Sequence, residues 1–175
     1  MSKLTCPSVD MNFLSPNGFV LKIERLPLVS FFSQSVQLPS ITLANLDQPT
    51  PLVRIKIPGD QLDFQQLQVP FAVDENMNNY LEVYKWMMGL GFPEDRRQYR
   101  EENNSRGNND MSELARNYSD ASLFVLNSHN NVIKTFTFVD CFPVSLEGIG
   151  FDSKNMDVPY VSSSISLEYS YFTVE

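Results

Sequence analysis

The chain has 175 residues, 42% of them hydrophobic, and a formal net charge of −8 at pH 7. This length suits one domain with its own core, and the apolar runs are far too short to span a membrane. The acidic charge disfavours tight binding to nucleic acid, which depends on Lys and Arg neutralising phosphates. Two cysteines, Cys6 and Cys141, are too few for a disulfide framework or a zinc site, so we expect two free thiols. The N-terminal residues lack the unbroken apolar core of a signal peptide, so we expect folding in a cytoplasm.

The first strands are predicted from alternating apolar and polar residues that follow an N-terminal arm, residues 1–18. This N-terminal segment ends in a turn sequence, Ser15-Pro16-Asn17-Gly18. We also expect a loop around residues 45–50 and a turn between antiparallel strands at Pro58-Gly59-Asp60. The strands predicted in this part of the chain cover residues 19–25, 31–38 and 52–57.

A longer strand is predicted over residues 61–73, with a change in its apolar phase. Leu62 and Phe64 share one face, whereas the later apolar residues fall on the other. The change predicts a bulge near Gln65-Gln66. Such a bulge would let one strand bend between two orthogonally packed sheets.

One amphipathic helix is predicted next, with Asp74 as its N-cap and with Gly89, Gly91 and Pro93 ending it. An apolar stripe at helical spacing is more typical of a core-facing side than of a ligand-binding face. The stripe consists of Met77, Leu81, Tyr84 and Met88, widened by Tyr80, Val83, Met87 and Leu90. We expect Tyr80, Tyr84 and Trp86 to anchor the helix, the lone tryptophan against a sheet or a neighbouring subunit.

Residues 94–120 form a polar segment with interspersed charges of both signs and almost no aliphatic residues. We expect a long exposed loop, with a possible helical turn at Met111–Asn117. Long loops inside compact domains are usually functional, although a solvated insertion without a role is the alternative. Mixed charge suits contact with another protein better than contact with phosphate. The candidate subunit-contact residues are Arg96, Arg97, Tyr99, Arg100, Glu101 and Glu102.

The last third of the chain again reads as strands. Residues 121–126 and 132–139 flank a hairpin loop at 127–131, and a further strand is predicted at 144–149. Residues 160–174 alternate between an apolar face and a small, polar one, which is typical of a strand with one side towards water or a wet channel. The polar face comprises Ser162, Ser164, Ser166, Glu168 and Ser170.

Motifs for catalysis or cofactor binding are missing from the sequence. The single histidine, His129, lies in the predicted hairpin loop, where a turn role is sufficient. There is no GxSxG, P-loop or GxGxxG pattern, and no His/Cys spacing for a metal. We therefore predict no catalytic, cofactor-binding or metal-binding residue, and no enzyme.

The order of features along most of the chain carries a resemblance. The matching stretches are Asn17–Ile23, Leu38–Ile41, Ile57–Asp60 with Leu67–Glu75, Asn79-Tyr80 with Trp86, and Phe138–Ser145 leading into the last strand. In this order they are similar to the tail tube protein family of contractile-tailed, T4-like bacteriophages and to related tube proteins. The segment at 94–120 has no match in a compact tube protein.

The resemblance implies a single domain, residues 1–175, that is mainly β: a sandwich or half-barrel of two roughly orthogonal antiparallel sheets with one flanking helix. Six copies would form a ring, and rings would stack into the inner tube of the tail, surrounded by a contractile sheath and joined to baseplate and tube-capping proteins. Strands shared between copies would close a barrel and remove exposed edges. Genomic DNA would pass without specific binding, because an acidic channel repels phosphate. The protein would reside in the virion tail after assembly in the host cytoplasm, with no membrane contact.

In this picture, the polar face of residues 162–170 is the candidate lumen wall. Three alternatives stay open. The chain would be a tube initiator at the baseplate or a tube terminator of the same fold; a ligand-binding β-sandwich of a tail fibre; or an enzyme with an unrecognised carboxylate site, for which no residue speaks.

Overall fold

The computed structural model describes residues 13–91, 93, 117–151 and 160–175. Within these residues the chain forms strands and two helices. The strands are β1 (Phe19–Ile23), β2 (Ile41–Pro49), β3 (Arg54–Phe64), β4 (Leu67–Ala72), β5 (Ser119–Leu126), β6 (Val132–Leu146), β7 (Ser162–Glu168) and β8 (Tyr171–Val174). The helices are α1 (Pro27–Phe31) and α2 (Asn78–Gly91).

Six strands make one antiparallel sheet in the order β1-β5-β6-β7-β4, with β8 paired to β6. The long strand β6 belongs to both halves of this sheet: its first part pairs with β5 and β8, and its last part pairs with β7. Strands β2 and β3 form a separate two-stranded sheet. The predicted fold class, mainly antiparallel β with few helices, is confirmed.

The sheet changes direction at a corner in β6. Asp140 has a positive φ of 58°, and the register of β5 against β6 shifts at the same point. The adjacent strand breaks there too, since Tyr169 and Ser170 separate β7 from β8, and Ser170 donates its N–H to the Val139 carbonyl at 3.0 Å. The Ser170 hydroxyl donates to Asp140 at 3.4 Å, and the Asp140 N–H donates to the Asp120 carboxylate at 3.2 Å. These bonds join the start of β5, the Asp140 position of β6 and the break between β7 and β8.

Both halves of the sheet bury side chains in one core against α2. Alternate residues of each strand point inward, as the two-residue period of a strand requires. The fully buried members include Ile23, Leu67, Val69, Phe71, Phe138, Ile165, Leu167, Val83 and Trp86. Burial of such side chains stabilises the fold by about 1.5–3 kcal/mol each.

The strand predicted at residues 31–38 is wrong. Residues 27–31 form α1 instead, and the segment from Gln34 to Ser40 has no regular structure. Pro27 occupies the first turn of α1, where the fixed φ of proline favours a helix. Ser30 fixes the helix against β1, because its hydroxyl accepts the Ile23 N–H at 2.8 Å.

The predicted loop at 45–50 and the predicted turn at Pro58-Gly59-Asp60 are also wrong. Both lie inside the hairpin of β2 and β3, which we call the arm. The register shifts between Leu43 and Asn45, opposite the Pro-Gly-Asp residues. A Cβ at Gly59 would lie 2.6 Å from the Ala44 carbonyl oxygen, so the glycine allows the two backbones to approach closely there. The predicted strand at 61–73 divides into the end of β3 and β4, with the break at Gln65-Gln66, where the sequence predicts the bulge.

Helix α2 begins four residues after the predicted N-cap. The Asp74 carbonyl accepts the Met77 N–H at 2.8 Å in a turn, and Met77 has a positive φ of 58°. Val83 and Trp86 of the helix are buried, whereas Leu81 and Tyr84 of the predicted stripe are 41% and 46% exposed. The predicted end near Gly91 is confirmed.

The C-terminal strands follow the prediction closely. The strands at 121–126 and 132–139 and the loop between them are present, although the strand predicted at 144–149 is the end of β6. The strand predicted at 160–174 is divided into β7 and β8. Because β5 begins at Ser119, the polar segment ends earlier than predicted, and its residues 94–116 lie outside the described part of the chain. None of the described helices is long and apolar enough to cross a membrane.

Candidate functional surfaces

Strand β7 presents the predicted polar face. Ser163, Ile165 and Leu167 are buried, so the alternate residues lie on the opposite side of the strand. Those residues, exposed or half-buried, are Ser162, Ser164, Ser166 and Glu168. The fifth predicted residue, Ser170, lies beyond the end of β7 in the corner with Asp140.

Neighbouring strands extend this polar face. Ser166 is paired with Gln68 of β4 on one side and with Ser145 of β6 on the other, and cross-strand partners share a face. Gln66 donates from Nε2 to the Glu168 carboxylate at 3.1 Å. We call Ser162, Ser164, Ser166 and Glu168, with Gln68 and Ser145, the serine face. It offers small hydroxyl groups, an amide and the Glu168 carboxylate to water, and it is flanked by half-buried Pro70, the partner of Ser164, and Phe142, the partner of Glu168.

A second polar row crosses the other half of the sheet, and sequence reasoning missed it. Lys22 of β1 pairs with Ser122 of β5, Ser122 pairs with Thr137 of β6, and Thr137 pairs with Thr173 of β8. We call these four residues the threonine row. Each strand contributes one residue, so the row depends on register between distant segments and leaves no local signal in the sequence.

The predicted helix anchors occupy different environments. Trp86 is 1% exposed in the core, and Tyr80 is half-buried against it. The Arg25 guanidinium carbon lies 4.5 Å from the centre of the Trp86 ring, a cation–π contact. Tyr84 lies on the surface of the same helix, 46% exposed. The tryptophan therefore contacts its own domain, whereas Tyr84 faces solvent.

The start of α2 is fixed by a buried amide, Asn79, for which no role is predicted from the sequence. Its Nδ2 donates to the Ala72 carbonyl at 2.7 Å, at the end of β4. Its Oδ1 accepts the N–H groups of Asp74 and Tyr80 at 3.2 and 2.8 Å. These bonds join the last residue of a core strand to the first turn of the helix.

The arm has no core of its own. Every side chain in β2 and β3 is exposed or half-buried, and an isolated two-stranded hairpin is at best marginally stable in water. Exposed apolar surface of this kind marks an interaction site. The large apolar residues of the arm are each 40–95% exposed: Ile41, Leu43, Leu46, Leu52, Val53, Ile55, Ile57 and Leu62.

The predicted contact residues of the polar segment lie outside the described residues. Their role stays a prediction. They are Arg96, Arg97, Tyr99, Arg100, Glu101 and Glu102.

Among the described titratable side chains, His129 lies in a hairpin loop and Cys141 lies in the buried core. No group of three or more His, Cys, Asp and Glu residues there is placed to hold a metal ion. His129 lies in the hairpin loop, where its backbone N–H donates to the Asn127 side-chain oxygen at 2.9 Å. Cys141 is buried and unbridged beneath the corner. Burial, with a smaller effect from Asp120, raises the pKa of its thiol from 9.0 to about 12.

Comparisons with known proteins place these surfaces in context. No family model matches the chain. The tail tube terminator protein of Enterobacteria phage T4 is 26% identical over 171 residues, covering 94% of this chain and 90% of that protein.

Two solved structures share the fold. The tube-terminating cap of the anti-feeding prophage matches with a TM-score of 0.63 at 13% identity, covering 100% of this chain and 99% of that chain. A chain of the PVC extracellular contractile injection system, from its extended sheath–tube complex, matches with a TM-score of 0.60 at 15% identity, covering 94% of this chain and 93% of that chain.

The proteins similar to this chain are thus a tube terminator, a tube-terminating cap and a chain of a sheath–tube complex. In sequence and in fold, the predicted resemblance to the tail tube proteins of contractile-tailed bacteriophages, with their tube terminators, is confirmed.

Proposed function

We propose that this chain forms a ring at the end of the inner tube of a contractile phage tail and terminates that tube. The observation that carries the proposal is the similarity to the T4 tail tube terminator, which extends over 94% of the chain. The likeness to the anti-feeding prophage cap agrees with it at the level of fold. A repeating tube subunit, the function first expected from the sequence, is the second candidate, because the sheath–tube complex contains the same fold.

Ring formation is supported by the edges of the sheet. Among the described strands β8 pairs only with β6, so its other side is open, and the hairpin of β2 and β3 pairs with no other strand. Open strand edges promote association, and closure into a barrel removes them. We propose six copies in the ring, with further contacts to the last tube ring, the sheath protein and, in the initiator alternative, the baseplate. Its location is then the virion tail, and its role is structural, not catalytic.

The proposed channel lets DNA pass without holding it. The chain has a net charge of −8, and an acidic wall repels phosphate. The serine face is our candidate for the channel wall, because small hydroxyl groups stay hydrated without forming an apolar patch. A cryo-EM reconstruction that places Ser162–Glu168 on the outside of the ring would contradict this assignment.

Negative-stain electron microscopy of the purified protein, alone and mixed with tubes assembled from the tube subunit of the same phage, tests the function. A terminator forms isolated rings that bind tube ends and stop their growth. Long tubes made by this protein alone would instead identify it as the tube subunit. Compact monomers at high concentration that ignore tube ends would contradict both.

A further inference from the structure

The arm meets the main sheet at its root, which we define as residues 40–41 and 64–66. Phe64, at the end of β3, is half-buried there, whereas the other large apolar residues of β2 and β3 are exposed. The Gln65 N–H donates to the Ser40 carbonyl at 3.1 Å, which joins the two chain segments of the root. The direction of the arm therefore depends on the contacts that these few residues make with the main sheet.

The Phe64 ring joins an aromatic cluster that continues into the core. Its centre lies 5.6 Å from that of Phe172 and 6.1 Å from that of Tyr169. Both of these rings also contact Phe138, which is fully buried, at 5.5 and 5.0 Å. Tilted and edge-to-face pairs of this kind are favourable beyond the area that they bury. One side chain of the arm is thus connected to the core through two rings near the C terminus.

Two hydrogen bonds hold the break between β3 and β4 against the break between β7 and β8. The Tyr169 hydroxyl donates to the Gln65 carbonyl at 2.9 Å, and Gln66 donates from Nε2 to the Glu168 carboxylate at 3.1 Å. Burial raises the pKa of Tyr169 to about 12, so the hydroxyl keeps the proton that it donates. Because Gln65 directly follows Phe64, the Tyr169 bond and the ring contacts restrain the same point of the chain.

An open cleft adjoins the root. Its volume is about 440 Å³, and it is lined by residues 37–40, by residues 64–66, and by Gln68 and Glu168. The segment from Gln34 to Ser40, which leads into the arm, has no regular structure. Segments with few buried contacts are those that move most readily. The arm can therefore turn at its root once the contacts of Phe64 and Tyr169 are removed.

We propose that Phe64 and Tyr169 form a latch that holds the arm in one direction before any partner binds its exposed apolar side chains. The latch is a conformational device of the single subunit and does not depend on the proposed ring. A freely turning arm would have to be ordered on binding, which opposes association, whereas an arm that is already fixed avoids that cost. Both are positioning residues, because they act on the apolar side chains of the arm through its root.

The distance between the tip of the arm and the main sheet tests the latch. Nitroxide labels are attached to Leu52→Cys, at the tip, and to Lys134→Cys, in β6, in a Cys6→Ser background. Both labelled positions are exposed, whereas the remaining thiol, Cys141, is buried. Pulsed electron paramagnetic resonance is recorded at a dilution at which size-exclusion chromatography shows monomers. The latched protein should give one narrow distance distribution.

Substitutions at the root should abolish this narrow distribution. Tyr169→Phe removes the hydroxyl bond and keeps the ring, and Phe64→Ala removes the ring of the arm, so each should give a broad distribution. Phe64→Tyr keeps an aromatic ring and should retain the narrow one. Leu62→Ala is the matched control, because Leu62 is 52% exposed and alternate residues share a face of β3. Circular dichroism should show every variant folded.

Several outcomes would overturn the latch: a broad distribution in the unmodified protein, a narrow one in Phe64→Ala, or equal broadening in Leu62→Ala and Phe64→Ala. A narrow distribution in Tyr169→Phe would contradict the role of the hydroxyl. If Phe64→Ala does not fold, Tyr169→Phe still decides, because it removes a single oxygen atom. The measurement is made on monomers, so the latch and the proposed ring can fail separately.

Discussion

Arg25 places its guanidinium carbon 4.5 Å from the centre of the Trp86 ring, directly between the end of β1 and helix α2. Both residues are nearly inaccessible to solvent, at 8% and 1% exposure. The backbone N–H of Arg25 also donates to the Ser119 hydroxyl at 3.2 Å, at the start of β5. One arginine thus joins the first strand, the fifth strand and the helix. The packing of α2 on the sheet depends on this junction.

Replacing Trp86 should therefore destabilise the whole fold. Trp86→Ala should lower the free energy of unfolding by about 3–5 kcal/mol, because a large buried ring leaves a cavity. Trp86→Phe keeps an aromatic ring and should cost less. Urea denaturation measures both. Tyr84→Ala is the control on the exposed side of α2, with an expected change within about 0.5 kcal/mol; a loss at Tyr84 equal to that at Trp86 would contradict the assignment.

Asn79 should contribute through its three hydrogen bonds. Asn79→Ala leaves the Ala72 carbonyl and the N–H groups of Asp74 and Tyr80 without these partners, at about 1–3 kcal/mol per buried group left unsatisfied. The neighbouring exposed Asn78→Ala should change the free energy of unfolding little. Thermal or urea unfolding measures the free energy of unfolding of both variants. An equal loss in the two would contradict the role of the buried Asn79 amide.

Cys141 should be unreactive in the folded protein. In a Cys6→Ser variant, the thiol reagent DTNB at pH 8 should react with no thiol until denaturant exposes Cys141, because the thiolate is the reactive form and the thiol is buried. Immediate reaction without denaturant would show that the corner is open.

The same thiol should make stability depend on pH. Its folded pKa is raised from 9.0 to about 12, so the neutral form is favoured in the fold. The stabilisation is complete below pH 9 and is lost as the pH rises from 9 towards 12, because the unfolded chain releases its proton first. Tyr169, whose pKa burial also raises to about 12, acts in the same direction. Between pH 9 and 11, the free energy of unfolding should fall more steeply for the Cys6→Ser protein than for Cys6→Ser with Cys141→Ala; equal slopes would contradict the shift.

A methyl group at Gly59 should disturb the arm alone. Its Cβ would lie 2.6 Å from the Ala44 carbonyl oxygen, so the strands must separate there. Hydrogen exchange should become faster across residues 41–64, while the main sheet keeps its protection. Gly91→Ala is the control, because nothing lies within 4 Å of the added atom. Uniformly faster exchange in Gly59→Ala would show that the arm is coupled to the core.

The serine face can be tested by adding charge to it. If it lines the channel, Ser166→Arg should give rings that retain single-stranded DNA in a salt-dependent manner, because each copy adds a cation facing the phosphates. Thr173→Arg, on the threonine row, is the matched control and should leave retention unchanged. Stronger retention by the control would move the channel wall to the threonine row.

Local patterns predicted the elements whose environment is set by near neighbours. The alternation in β1, β5 and β7, the hairpin loop around His129 and the end of α2 at Gly91 were all readable, since period and turn residues act over a few positions. The prediction of secondary structure was wrong where the same type of residue occurs in two kinds of element. Pro27 begins a helix between two predicted strands, where no element is predicted, and Gly59 permits a close approach within β3 where a turn is predicted.

The candidate surfaces divide in the same way. The polar residues of β7 were predicted because alternation within one strand assigns them to one side. The threonine row and the position of Trp86 over Arg25 were not predicted. They depend on the pairing of residues as far apart as Lys22 and Ser122 and on the rotation of α2 about its axis. The sequence on its own determined a β-rich chain, its single long helix and its resemblance to tube proteins. The folded chain alone establishes that β2 and β3 form an arm without a core of its own, because burial depends on which distant segments pack together.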